Sequence, residues 1–157
     1  MVRSIEGILQ DVRIDEIELR PAVRATPETP LGEVYGLLEG SALGAVIICE
    51  GERVVGIFTE RDVLYRTALE ELDPSTPIGE LMTGDPVTVE PRERVARAVQ
   101  LMTERGYRHL PLVDAEGRYQ GLLASRHVLR FIGEHFPEAV LNLPPRLHQT
   151  MLTPEGG

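Results

Sequence analysis

The sequence predicts an α+β protein made of two tandem copies of one strand–helix–strand–strand–helix unit. Three observations support this prediction. The chain repeats itself after about 65 residues, its apolar residues switch between helical and strand spacing, and 42% of its 157 residues are hydrophobic while 26% are charged. Such proportions are typical of a globular chain, and the length suffices to bury a substantial core.

The internal repeat is clearest where residues 56–66 (GIFTERDVLYR) match residues 121–131 (GLLASRHVLRF). With one gap placed ahead of residue 45, further matches appear upstream: 45–56 over 110–121, and 26–38 over 90–102. Two such units indicate a duplicated fold rather than a solenoid. We expect the first repeat at 3–72, a linker at 73–77 (DPSTP), the second repeat at 78–136 and a Pro-rich tail at 137–157.

Each repeat predicts the same elements in the same order. Short apolar runs bounded by turn residues predict strands at 22–25, 45–49 and 54–58, and again at 87–89, 110–113 and 119–123. Apolar residues at helical spacing predict first helices over 31–38 and 95–102, with Gly40 and Gly106 as their stops. We expect the last helix of each repeat at 60–72 and 125–135.

The segment from Thr59 to Asp62 (TERD) admits two interpretations. Thr-x-x-Asp ahead of an apolar run is typical of a helix capping box. The same arrangement suits a ribose phosphate, because a helix start offers free N–H groups to a phosphate and a carboxylate can accept hydrogen bonds from two sugar hydroxyls. The sequence leaves both interpretations open.

The duplicated pattern resembles a pair of cystathionine-β-synthase (CBS) domains, also called a Bateman module. The resemblance is carried by residues 54–64 (VVGIFTERDVL) and 82–123, and it extends over about 3–136. It implies two β-α-β-β-α repeats packed with pseudo-twofold symmetry. It also implies clefts at their seam that bind AMP, ADP or ATP, with S-adenosylmethionine as a less favoured ligand. Such modules act as regulatory sensors that form homodimers, and they are not themselves enzymes.

The family pattern Gly-h-h-Thr-x-x-Asp, where h is hydrophobic, begins at Gly56. The resemblance assigns Thr59 to phosphate contact, Asp62 to the ribose hydroxyls and Ile57 to packing near the sugar or base. It places the adenine end of the site on residues of the second repeat: Thr83, Asp85, Val87, Tyr107, Arg108 and His109.

Arg61 and Arg108 are the candidate phosphate ligands, since a guanidinium binds phosphate through two parallel hydrogen bonds. Structural alternatives remain open for two of the site residues. In these alternatives, Tyr107 covers the core instead of binding a ligand, and Arg61 is a solvated helix residue.

The second repeat departs from this pattern, with Ala124 and His127 where Thr59 and Asp62 stand in the first. Alanine has no hydroxyl, and histidine cannot accept two sugar hydroxyls as a carboxylate does. Ser125 could cap the helix but is out of register for a ligand, and the matching wall (Val23, Leu43 and Gly44) adds no polar anchor. We therefore expect one competent cleft and one degenerate cleft per chain.

Composition excludes several function classes. All 16 basic residues are arginines, so chemistry that needs a lysine amine is excluded, including Schiff bases and P-loops. The net charge of −9 disfavours nucleic acid polymers and anionic membranes. No nucleophile, base or metal-ligand constellation is visible, which predicts a protein that is neither an enzyme nor a metal site. The lone cysteine, Cys49, lies in an apolar run and is expected to be buried.

The overall expectation is a cytoplasmic, bacterial, homodimeric sensor of adenosine nucleotide that acts on an unknown partner protein. The alternative is a structural dimerisation module whose pockets are vestigial.

Overall fold

The computed structural model describes residues 4–67 and 69–136; the expected tail at 137–157 lies outside them. The fold is the predicted mixture of helices and small sheets, in two units of similar order. The helices are α1 (Ile5–Asp11), α2 (Leu31–Gly40), α3 (Glu60–Asp62, continued by a π-helical turn over Val63–Thr67), α4 (Val95–Arg105) and α5 (Ser125–His135). The strands are β1 (Val23–Ala25), β2 (Ala45–Glu50), β3 (Arg53–Thr59), β4 (Thr83–Gly84), β5 (His109–Val113) and β6 (Tyr119–Ala124).

The first repeat contributes β1, β2 and β3 to a four-stranded sheet that β4, from the start of the second repeat, completes in the order β1-β2-β3-β4; β1 runs parallel to β2 and the other pairs are antiparallel. The second repeat forms the antiparallel pair β5-β6. Across the described residues, every helix is too short or too polar to span a bilayer.

The strand predicted at 87–89 is reduced to one parallel bridge, between Val89 and Leu112. Val89 donates its N–H to Pro111 O and accepts the N–H of Val113. In this register the next ladder bond would require an N–H from residue 111, and proline has none. Pairing therefore stops after a single residue, unlike in the first repeat, where Ile47 occupies the matching place in β2.

The helix predicted over 60–72 ends at Thr67, before the linker. The linker explains the early end, because its backbone pairs with the start of α2: Gly32 N–H donates to Pro74 O, and Leu31 N–H donates to Thr76 O. The chain must leave the helix to reach these partners, so tertiary pairing overrides the helix propensity of residues 69–72.

The other predicted helices are confirmed, with one difference in how they stop. Gly106 ends α4 in the left-handed conformation at φ 72°, as a C-terminal glycine should. Gly40 is instead the last residue of α2, and Ser41 caps the helix in an extended conformation. The helix α1 and the 3₁₀ turn Ile14–Glu16 were not predicted.

The segment at the start of each repeat packs in the core of the other repeat. The core of the second repeat, around α4 and α5, includes Ile14 and Ile17, with Ile8, Leu9 and Val12 packed against it. The core of the first repeat correspondingly includes Ile78, with Leu81 and Met82 packed against it. Each repeat in space therefore takes its lead-in from the other repeat in sequence, and neither core is complete without it.

Two backbone hydrogen bonds join the β2-β3 hairpin to the β5-β6 hairpin, and they are related by the pseudo-twofold symmetry. They are Val54 N–H to Gly117 O and Tyr119 N–H to Glu52 O. The partners exchange under the sequence repeat, and Arg53 forms a bridge with its own counterpart, Arg118. The symmetry axis therefore passes close to this arginine pair.

Strand register corrects the placement of the gap between the repeats. Ala45 pairs with Thr59, whereas His109 pairs with Ala124. Ala45 therefore corresponds to His109, and the extra residue of the second repeat lies in its turn at 114–118 rather than ahead of residue 45.

A third core fills the seam between the repeats. Alternate residues of β2 (Ala45, Ile47 and Cys49) face this seam, while Val46 and Ile48 face the helices of their own repeat. Both faces of the strand are thus buried, which accounts for its continuous apolar run. Cys49 is 3% exposed, as expected, and burial raises the pKa of its thiol.

Candidate functional site

The ten residues singled out from the sequence line one cleft of about 1010 Å³ between the two repeats. They are Ile57, Thr59, Arg61, Asp62, Thr83, Asp85, Val87, Tyr107, Arg108 and His109. The first four come from β3 and α3, and the others come from the second half of the chain. Residues far apart in sequence are therefore brought together by the packing of the repeats.

The start of α3 forms the predicted capping box. Thr59 Oγ1 accepts the N–H of Asp62 at 3.3 Å, and Asp62 Oδ2 accepts the N–H of Thr59 at 2.9 Å. Asp62 Oδ2 also lies 3.2 Å from Thr59 Oγ1. These bonds fix the orientation of both side chains at the mouth of the cleft.

Capping leaves part of the Asp62 carboxylate available. The cap uses Oδ2, whereas Oδ1 lies 3.8 Å from Arg66 Nε, and the side chain is 19% exposed. A carboxylate has about four acceptor positions on its two oxygens. The capping interpretation and the ribose-binding interpretation are therefore compatible, because they use different oxygens of the same group.

The opposite wall begins with β4, which pairs with β3 so that Ile57 faces Thr83 across the ladder. Asp85 follows at φ 47°, the one non-glycine residue of the described chain with positive φ. Its N–H donates to Val55 O. Aspartate tolerates this left-handed conformation better than most residues, and the turn directs the chain along the cleft into Val87.

The end of α4 supplies Tyr107, Arg108 and His109, which continue from Gly106 along the cleft. Tyr107 is 39% exposed, so it lines the cleft and does not cover the core. His109 Nε2 lies 2.6 Å from Leu43 O. A carbonyl only accepts, so Nε2 carries the proton and Nδ1 is an acceptor. Burial lowers the pKa of the His109 ring, as do nearby Arg126 and Arg108.

Several lining residues were missed from the sequence: Gly44, Glu60, Leu64, Tyr65, Gly84, Pro86, Met102 and Gly106. The Arg61 guanidinium lies 5.6 Å from the centre of the Tyr65 ring, which is 69% exposed. Spacing of i and i+4 on one helix could have indicated this pair. Gly44, at φ 68°, was expected in the wall of the second cleft, but it lines the first, where Glu60 N–H donates to its carbonyl.

In the second cleft, the residues at the positions of Thr59 and Asp62 are buried, so they are closed to a ligand. Ala124 and His127 are 2% and 1% exposed. Ala124 is the N-cap of α5, and its N–H points at His127 Nδ1, 3.0 Å away. Ser125 is the first helical residue and does not cap the helix. His127 thus replaces Asp62 as a capping acceptor, but it is buried.

Two arginines of α5 also close the second cleft, because they bind backbone carbonyls of neighbouring segments. Arg126 Nη1 donates to Ala42 O at 2.5 Å, and Arg130 Nη2 donates to Glu18 O at 2.6 Å. The Arg20 N–H also points at His127 Nε2, at 3.1 Å. The segment from Glu18 to Arg20 is therefore held against α5. Leu43, expected in the wall of the second cleft, is 1% exposed.

Comparison with solved structures agrees with this architecture. A CBS domain protein from Pyrobaculum aerophilum, complexed with AMP, superimposes with a TM-score of 0.68 and 27% sequence identity. The match covers 74% of this chain and 89% of that chain.

Curated relatives include longer proteins. An uncharacterized protein from Methanopyrus kandleri is 30% identical over 124 residues, which is 78% of this chain and 63% of the relative. Inosine-5′-monophosphate dehydrogenase from Methanocaldococcus jannaschii is 27% identical over 136 residues, which is 86% of this chain but 26% of that enzyme. The family model of the CBS domain matches residues 14–68 and 78–134. Because these two segments make up most of the sequence, the chain belongs to the CBS domain family and carries the domain as a tandem pair.

Proposed function

We propose that this protein is a regulatory module that binds an adenosine nucleotide (AMP, ADP or ATP) in the cleft between its repeats. The observation that carries the proposal is that ten residues of both repeats, chosen for this chemistry, line one cleft. Binding would change how the repeats or two copies of the chain pack, and a partner protein would respond. Ligand can shift such an equilibrium only by its different affinity for the two states.

The proposed roles follow the geometry of the cleft. Asp62 Oδ1, which the cap does not use and which lies 3.8 Å from Arg66 Nε, would accept the ribose hydroxyls, while Thr59, Arg61 and Arg108 would contact the phosphate. Ile57 and Val87 offer apolar surface to the sugar and base, and Thr83, Asp85, Tyr107 and His109 complete the wall on the side of the second repeat. The closed second cleft supports a stoichiometry of one ligand per chain.

Relatives support a regulatory role in two ways. The Pyrobaculum aerophilum protein, 27% identical to this chain, was solved with AMP. A match that covers 26% of inosine-5′-monophosphate dehydrogenase fits a module of this kind attached to an enzyme. We propose that the chain has no catalytic activity of its own, that it forms a homodimer, and that it works in the cytoplasm, where adenosine nucleotides are available.

A second candidate is a structural dimerisation module without a physiological ligand. Leu64 and Leu129 occupy equivalent positions in the two repeats and are 67% and 68% exposed. An exposed leucine at the same place in each repeat offers apolar surface for contact between two copies of the chain. This candidate predicts a dimer whose stability does not respond to nucleotide.

Thermal unfolding separates the two candidates. A ligand at one hundred times its Kd adds about 2.7 kcal/mol, which raises the Tm of a chain of this size by about 5–10 °C. We expect a shift with AMP, ADP or ATP, and no shift with Asp62→Asn. Asparagine can still cap α3 through its amide oxygen, so this variant separates loss of binding from loss of folding.

Glu33→Gln, an exposed change in α2, is the matched control and should shift as the wild type does. Failure of the wild type to shift with all three nucleotides and with S-adenosylmethionine refutes the sensor proposal. Hydrolysis of ATP by the pure protein would refute the absence of catalysis.

A further inference from the structure

Arg66 occupies a position that holds a core residue in the second repeat. Residues 56–66 match residues 121–131, so the counterpart of Arg66 is Phe131. Phe131 is 7% exposed in the core of the second repeat, whereas the Arg66 side chain is 44% exposed. The backbone differs as well, because Arg66 lies in the π-helical turn Val63–Thr67 while α5 continues as an α-helix past Phe131. Such turns are rare and occur frequently at functional sites, so the contacts of Arg66 beside the open cleft call for an explanation.

The Arg66 guanidinium connects the two walls of the open cleft. Its Nε lies 3.8 Å from Asp62 Oδ1. Its Nη1 donates to Leu81 O at 2.5 Å and to Met82 O at 3.5 Å. Met82 directly precedes Thr83, the first residue of β4. One side chain therefore joins a carboxylate of the first repeat to the strand that begins the opposite wall.

The distance between Arg66 and Asp62 leaves the carboxylate able to bind a ligand. At 3.8 Å, Nε forms an ion pair but is too far from Oδ1 for a hydrogen bond, so it attracts this oxygen without occupying its acceptor positions. The other oxygen, Oδ2, accepts the N–H of Thr59 in the helix cap. Asp62 is therefore oriented at both of its oxygens, while Oδ1 keeps its acceptor positions for a ligand.

We infer that Arg66 is a positioning residue for the sugar of the proposed ligand: it orients Asp62 Oδ1 toward the ribose hydroxyls and fixes the carboxylate relative to β4. The inference rests on the proposed function and adds to it a residue that acts through Asp62 and does not line the cleft. Arginine suits this role because its planar guanidinium donates in several directions from one rigid group. A carboxylate and two carbonyls are thus held by a single side chain.

Ligands with and without ribose hydroxyls test this role. The experiment is isothermal titration of the full chain with AMP, ADP and ATP, and with the 2′,3′-dideoxy analogue of each. Two hydrogen bonds to a charged acceptor should make the wild type prefer a ribonucleotide over its dideoxy analogue by about a hundredfold. In Arg66→Gln we expect this preference to fall to about tenfold, because side chains in contact couple by about that factor. The affinity for the dideoxy analogue should hardly change.

Two further variants control for charge and for folding. Arg92→Gln removes the same charge at an exposed position outside the cleft lining and should keep the preference of the wild type. Arg66→Lys keeps the charge but loses the planar guanidinium, so its preference should lie between those of the wild type and Arg66→Gln. If Arg66→Gln does not fold, Arg66→Lys carries the same comparison of ligands, and an unchanged preference in that variant overturns the inference.

The possible failures are distinguishable. If Arg66→Gln binds a ribonucleotide and its dideoxy analogue more weakly by the same factor, Arg66 acts on the phosphate or on folding, and the inference is overturned while nucleotide binding stands. An unchanged preference in Arg66→Gln overturns it in the same way. A wild type that binds both kinds of ligand equally overturns the assignment of the ribose to Asp62 and this inference with it. Absence of binding of all three ribonucleotides overturns the proposed function as well.

Discussion

His127 should make the stability of this protein fall as the solution is acidified from neutral pH. The side chain is 1% exposed, and its two ring nitrogens face the N–H groups of Ala124 and Arg20. A neutral imidazole accepts at one nitrogen, whereas a protonated imidazole accepts at neither. Burial, together with Arg130, Arg126 and Arg20, lowers the pKa of His127 from 6.5 to about 4.

The sign and size of this pH effect follow from the linkage between proton binding and folding. The folded pKa lies below the unfolded pKa, so between about pH 6.5 and 4 the unfolded chain binds more protons than the folded chain. The contribution is complete above pH 6.5 and is lost as the pH falls. With these two pKa values, the free energy of unfolding at pH 5 should be about 2 kcal/mol lower than at pH 8 through this residue alone.

Urea denaturation at pH 5, 6, 7 and 8, at one protein concentration, would measure this loss. His127→Asn is the reference variant, because asparagine can still accept the Ala124 N–H but does not titrate in this range. The difference in unfolding free energy between wild type and variant should shrink by about 2 kcal/mol from pH 8 to pH 5. Parallel pH curves for the two proteins would refute the assignment of a buried, neutral His127.

Three further predictions concern packing. Gly56→Ala should destabilise the protein by about 1–3 kcal/mol, because a Cβ there would overlap Met82 Sδ and lie 3.1 Å from Thr83 O. Gly36→Ala in α2, where nothing lies within 4 Å, should instead stabilise it by up to about 1 kcal/mol, as urea denaturation of both variants would show. Removing residues 1–12 should cost about 3–5 kcal/mol, since Ile8, Leu9 and Val12 pack against the core of the second repeat. Hydrogen exchange should then quicken in α4 and β5 before it does in β2, and equal exchange in both repeats would argue against the exchange of lead-ins.

The parts of the fold that were predicted correctly are those set by local physical chemistry. A short continuous apolar run identified the strand over 45–49, and the capping pattern at Thr59 located the start of α3 to the residue. The cleft was expected only through the resemblance to CBS domain pairs, which assigned residues of both repeats to one site. Gly106 marked its helix end because only glycine adopts φ 72° without strain.

The parts that were missed depend on long-range pairing. The spacing of apolar residues over 5–17 indicates that this segment has an apolar side. It does not indicate which core covers that side, so the packing of this segment against the second repeat could not be predicted. The shortened strand at 87–89 follows from the missing N–H of Pro111, which matters only once the register is known. The burial of His127 likewise depends on Arg20, which lies 107 residues away in the sequence. Histidine in place of aspartate indicated a lost ligand, but not that the side chain takes over the cap.

The loop at 42–44 connects the closed second cleft to the open cleft, because its carbonyls accept hydrogen bonds from residues at both. Its three successive carbonyls accept from Arg126 of α5, from the His109 ring and from the N–H of Glu60. Two of these donors line the open cleft, and the third comes from the helix that closes the other. A ligand that displaced the His109 ring would therefore disturb the loop to which Arg126 is bound. If the open cleft binds the proposed nucleotide, the loop at 42–44 is therefore the element through which occupancy of that cleft would reach α5.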